Sequence, residues 1–186
     1  MKNFFKGRHP ACGVRRPASL KDNLHAILHG SNQEKERVKG QFFYMADTPD
    51  FMKKLGLVGE YFSVRYGVIA RHQGKDADHR LTEQNWLDLC GKIADPLAIV
   101  LTREKFRLFT DVQVNDRGVV VCVDVKNTGK KLSVNSVSTA FGYRSRLVTG
   151  EILYKSKKMT PEQTTLLDRP DAMSLPPVQE TGLNIS

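Results

Sequence analysis

Between Leu97 and Val125 the chain passes three times through β-branched and aromatic residues: Leu97 to Leu101, Phe106 to Val114 and Val119 to Val125. The turn formers Arg103-Glu104 and Asn115-Asp116-Arg117-Gly118 separate the runs. Connections this short cannot carry a crossover, so the three strands must pair as antiparallel neighbours. Val119 to Val125 is apolar on both faces until Asp124, which predicts a central strand. After the turn Asn127-Thr128-Gly129-Lys130, Leu132 to Phe141 alternates as a fourth strand, and Gly150 to Lys155 adds a short fifth. No glycine-rich phosphate loop of the kind that opens a nucleotide-binding fold is present in the sequence.

Helical periodicity precedes this meander. Ser19 is placed to cap a helix from Leu20 to His29, closed by Gly30, with Leu24, Ile27 and Leu28 on one face. Gln33 to Lys39, mostly charged, fits a further helix or a linker. Thr48-Pro49 opens a short helix to Leu55, ended by Gly56, with Phe51, Met52 and Leu55 as its apolar stripe. Tyr61 to Ala70 reads as a half-buried strand, and Arg71 to His79 as a polar loop. Thr82 opens a helix in which Trp86, Leu89, Cys90 and Ile93 recur at i, i+3, i+4 and i+7, and Asp95-Pro96 stops it. A last helix runs from Pro161 to Leu167.

Helices followed by a meander imply an α+β fold, with N-terminal helices packed on a four- or five-stranded antiparallel sheet. At 186 residues and 40% hydrophobic content, one core is expected. The organisation predicted is a basic arm over 1–40, a domain over 41–168 and a Pro-rich tail over 169–186.

The formal charge of +9 and the isoelectric point near 9.6 favour a polyanionic partner. The basicity is confined to two segments. Residues 1–40 carry nine basic and three acidic side chains, and residues 126–158 carry eight and one. Cys12, Cys90 and Cys122 are widely spaced, without CxxC pairing, and Cys90 and Cys122 occupy core-like positions. No apolar run approaches the roughly 20 residues that span a bilayer, and the N-terminus lacks the apolar stretch of a secretory signal. A soluble, cytoplasmic protein without a membrane partner is expected.

The chemistry-bearing stretch is Arg71-His72-Gln73-Gly74-Lys75-Asp76-Ala77-Asp78-His79-Arg80-Leu81. Two imidazoles among cations are what phosphodiester cleavage at neutral pH would use, because histidine can both take and give a proton there. His25 and His29, four apart on a helix, have the spacing of a metal pair. With no third ligand apparent in the sequence, they read as an exposed helical face.

Taken together, Thr48-Pro49, Leu55-Gly56-Leu57, the His72 and His79 block with Leu81-Thr82, Trp86, Ile93 to Ile99, and Val137-Ser138-Thr139-Ala140-Phe141-Gly142-Tyr143 carry a resemblance. They resemble the phage-associated branch of the barnase, EndoU, colicin and RelE (BECR) group of nucleases, found at the C-terminal ends of phage MuF-type and polyvalent proteins. The resemblance covers about residues 42 to 158. It implies a metal-independent endoribonuclease toxin without cofactor, acting on RNA, with an acidic immunity protein as a possible partner. Its histidine-bearing segment corresponds to His72 and His79, and its polar stretch to Ser138, Thr139 and Tyr143, with Arg144 and Arg146 following. One departure is the pair Asp76 and Asp78 beside the histidines, whose carboxylates would repel a phosphate.

Cleavage of RNA without metal needs a base for the 2′-OH, an acid for the 5′-oxygen and cations for the phosphorane. His79 and His72 are the candidates for base and acid. Arg144, with Lys126 in reserve, is the candidate for stabilising the phosphate, and Ser138 and Tyr143 for positioning it or the ribose. Arg71, Lys75, Thr139 and Arg146 are candidate RNA contacts. Purely structural roles are open to the same residues: His79 at a helix entrance, Ser138 and Thr139 on a sheet surface, Tyr143 half-buried at a strand end. A non-catalytic nucleic-acid-binding module or a phage structural part would use the same basic clusters. An ADP-ribosyl transferase is disfavoured because Glu151 stands alone.

Overall fold

The computed structural model describes residues 16–73, 80–102, 105–128, 132–143 and 150–168, excepting the side chains of 125–128, 132, 133, 165, 166 and 168. It is an α+β domain in which one sheet of seven strands has the order β1-β2-β6-β5-β4-β3-β7. The strands are β1 (Phe42–Asp47), β2 (Tyr61–Arg65), β3 (Ala98–Thr102), β4 (Lys105–Val114), β5 (Arg117–Thr128), β6 (Leu132–Gly142) and β7 (Glu151–Lys155). The helices are α1 (Leu20–His29), α2 (Asn32–Val38), α3 (Asp50–Lys54), α4 (Tyr66–Gln73), α5 (Glu83–Lys92) and α6 (Pro161–Asp168).

The sequence expectation of four or five strands, all antiparallel, is corrected here. The sheet is mixed, because β2 pairs parallel with β6 through Phe62–Asn135, Ser63–Ser136 and Val64–Val137. The strands over 98–142 do form the antiparallel meander expected from their short connections. Phe42–Asp47 is a strand the sequence did not announce, since its nearly continuous apolar run shows no alternation. The stretch read as one strand from Tyr61 to Ala70 divides in two. After Arg65 it turns helical, and Val68, Ile69 and His72 take the buried side of α4 at helical spacing.

β5 lies at the centre of the sheet. Val119, Val121 and Val123 enter the larger core, while Val120 and Cys122 enter a second one on the other side. The larger core takes Leu20, Leu24, Ile27 and Leu28 of α1 and Trp86 and Leu89 of α5, so α1 belongs to the same packed unit as the sheet. Leu167 of α6 closes the second core over Ala98, Val100 and Phe109.

Local chemistry sets the helix ends. Thr82 and Asn85 form a reciprocal capping box, and Asn85 Nδ2 also donates to the carbonyl of Gln113 at 2.8 Å, fixing the start of α5 to β4. Ser31 and Glu34 form a second box on α2. Ser19 is the α1 N-cap residue but does not cap through its side chain; Asn23 Nδ2 instead donates to its carbonyl at 2.9 Å. Gly56, at φ +103°, ends α3 in a conformation an L side chain rarely adopts. Asn115 (φ 46°) and Asp116 (φ 58°) form the two-residue turn joining β4 to β5, with Val114 opposite Arg117.

Candidate functional site

The β2–β6 ladder ends at Val64 and Val137, because β2 leaves the sheet after Arg65 and becomes α4. β6 continues to Gly142. A cleft of about 130 Å³ opens at this divergence, lined by Val68, Arg71 and His72 of α4 and by Ser138 and Thr139 of β6. The β5–β6 register slips here, with Cys122 opposite Thr139 but Val123 opposite Val137, leaving Ser138 as the extra residue of a bulge. Such a bulge re-aims side chains, and both Ser138 and Thr139 reach the cleft. Ser138 Oγ donates to the carbonyl of Cys122 at 3.3 Å.

His72 is 2% exposed and forms one wall of this cleft. Its ring meets Trp86 edge-on, with centroids 5.6 Å apart and an interplanar angle of 77°. Arg71 is at the surface and lies along its own helix, donating from Nε to the carbonyl of Gly67 at 3.0 Å. A water needs about 10 to 15 Å³ of such space, so the cleft has room for several waters or for a group the size of phosphate.

Four residues proposed from sequence, His72, Arg71, Ser138 and Thr139, therefore converge although nearly seventy positions separate the two segments. Tyr143 does not join them. It lies four residues beyond Thr139, roughly 13 Å along a strand. There it packs edge-on against Phe109, centroids 5.0 Å apart, in the second core, and burial raises its hydroxyl pKa. His79, Lys75, Arg144 and Arg146 lie outside the described residues, as does the side chain of Lys126. Of the second basic segment, Lys158 pairs with Asp95.

A larger cleft of about 580 Å³ lies at the C-terminal end of α4, lined by Leu28, His29, Gln73, Arg80, Leu81, Thr82 and Glu83. Gln73 Nε2 donates to the carbonyl of Leu28 at 2.9 Å, tying α4 to α1, and Arg80 donates to the carbonyl of Gln73. Glu83, the first residue of α5, approaches His29 Nε2 at 3.2 Å and His25 Nδ1 at 3.7 Å. Sequence reasoning singled out both histidines but missed Glu83, because nothing in a linear reading brings residue 83 to α1. Among the described residues, no helix is long and apolar enough to cross a membrane.

No curated protein and no solved structure matches the chain. A family model, that of the phage MuF C-terminal domain, matches residues 70–162, which include the end of α4, α5, the whole meander and both walls of the smaller cleft apart from Val68. Over that half of its length, the chain belongs to the phage MuF C-terminal domain family.

Proposed function

We propose that this domain is a metal-independent endoribonuclease of the BECR type, a phage-associated effector that cleaves RNA by attack of the 2′-OH. The observation that carries this reading is the convergence of His72 and Arg71 with Ser138 and Thr139 around one phosphate-sized cleft. His72 takes the 2′-OH proton as the 2′-oxygen bonds to phosphorus. The bond from phosphorus to the 5′-oxygen breaks, that oxygen is protonated by a second acid, and a 2′,3′-cyclic phosphate is left. His79 is the sequence candidate for the acid. Arg71 offers a guanidinium to the phosphate oxygens, with Arg144 as a further cation, and Ser138 and Thr139 hydroxyls orient the group. An acidic immunity protein covering the basic surface is the partner this reading expects.

The test is incubation of the purified protein with RNA in excess chelator, with fragment ends identified. Cyclic-phosphate ends are expected, and His72→Gln should slow cleavage by about 10²- to 10⁴-fold. Arg71→Ala acts as a surface control, expected to slow cleavage with an unchanged melting curve, and Ser138→Ala should slow cleavage as well. Intact RNA, or cleavage indifferent to all three changes, removes the proposal.

A second reading is favoured by the near-complete burial of His72 against Trp86, which is also how a structural histidine sits. In that case the domain is a basic nucleic-acid-binding module. It retains RNA at low salt, releases it steeply as salt rises, and does so equally with His72→Gln.

A further inference from the structure

The geometry points to a transition-metal site of the zinc class formed by His25 and His29 of α1 and Glu83 of α5. One donor atom from each of the three side chains lies within 4.8 Å of the other two. A tetrahedral ion with bonds of about 2.0 to 2.1 Å holds its ligands about 3.3 Å apart. The Glu83 oxygens stand 3.2 Å from His29 Nε2 and 3.7 Å from His25 Nδ1, so small side-chain rotations complete the geometry. The imidazole rings are 5.2 Å apart between centroids, on one face of one helix, as an i, i+4 pair must be to share an ion.

The scaffold holds these donors in place. Leu24, Ile27 and Leu28 pack the buried side of α1 into the same core as Trp86 and Leu89 of α5, so the two backbones that carry the ligands are fixed to each other. The capping box of Thr82 and Asn85 fixes the first turn of α5, from which Glu83 projects. The histidine side chains are 79% and 54% exposed, so an ion enters without any opening of the fold.

Two imidazoles and one carboxylate suit zinc and its neighbours rather than magnesium or calcium, which prefer oxygen ligands throughout. Three protein ligands leave a fourth position. Because His29 and Glu83 also line the larger cleft, a water or an anionic group there has access to the ion. The site is separate from the smaller cleft, and its existence does not depend on the nuclease reading, whose assay is run in chelator.

The experiment is calorimetric titration of the chelator-stripped full chain with zinc chloride, alongside a His25→Ala/His29→Ala double variant and Glu83→Gln. One equivalent of zinc is expected to bind, with a rise in melting temperature. Loss of an outer-shell partner already weakens a metal site by about 10- to 100-fold, and removal of a ligand should weaken it at least as much. Cobalt in place of zinc should give the visible absorption of a tetrahedral centre, absent in the double variant. No zinc binding by the natural sequence, or one equivalent bound unchanged by the double variant, overturns the assignment.

Discussion

The edge of one aromatic ring against another joins the candidate catalytic residue to the core: His72 and Trp86 meet with centroids 5.6 Å apart. Trp86 is fully buried, and its Nε1 has no hydrogen-bond partner among the described residues. Trp86→Phe therefore gives up no indole hydrogen bond within that set and should cost only about 1 to 2 kcal/mol, whereas Trp86→Ala should cost about 3 to 5 kcal/mol. Urea denaturation of the two variants checks the ordering. A larger loss for the phenylalanine variant would mean that the indole N–H has a partner of consequence.

Asn135 should be among the least replaceable polar residues. It is fully buried, and its Nδ2 donates to Thr48 Oγ1 at 2.8 Å and to the Gly59 carbonyl at 3.2 Å, while its Oδ1 accepts from Gly59 N at 3.2 Å. Asn135→Leu strands several of these groups and should cost at least about 3 kcal/mol, since each unsatisfied buried group costs about 1 to 3. A Cβ on Gly59 would come 2.4 Å from the backbone nitrogen of Asn135, so Gly59→Ala should be comparably damaging. The double variant should lose clearly less than the sum of the single losses, because both changes break the same contacts.

The start of α5 supports a capping prediction. Thr82 Oγ1 accepts from Asn85 N at 3.2 Å, and Asn85 Oδ1 accepts in return from Thr82 N at 3.0 Å. Thr82→Ala should destabilise by about 1 kcal/mol, and Thr82→Ser should retain most of the cap. Thermal melts of both variants decide it.

Burial pushes the Cys90 thiol up from 9.0 to about 11. The thiolate is the form that burial penalises, so the unfolded chain ionises at lower pH than the native one. The stability this proton contributes is fully present below about pH 9 and is lost as pH rises through about 11. The stability difference between the natural protein and Cys90→Ala should therefore shrink between pH 8 and pH 10.5 in denaturant titrations. Alkylation at pH 8, followed peptide by peptide, should label Cys90 slowly until the protein unfolds.

The β4–β5 turn offers a stabilising change. Asp116 sits at φ 58°, where glycine is free of the strain a Cβ imposes. Asp116→Gly should raise stability by roughly 0.5 to 1 kcal/mol. Guanidinium midpoints measure the gain.

Local patterning alone determined the meander, the central position of β5, the stops at Gly56 and Asp95-Pro96, and the apolar faces of α1 and α5. Period and turn chemistry act between near neighbours, and these features need nothing more. It also nominated His72, Arg71, Ser138 and Thr139, and noted the pair His25 and His29. Tertiary structure decided what those residues face. Only the parallel pairing of β2 with β6 sets α4 beside Ser138, and only the packing of α1 on α5 carries Glu83 to the two histidines. His72 is buried against Trp86 of α5, and Tyr143 packs against the second core through Phe109. Each of these outcomes is a contact between segments distant in sequence, selected by burying apolar surface across the whole chain, so no local period encodes it.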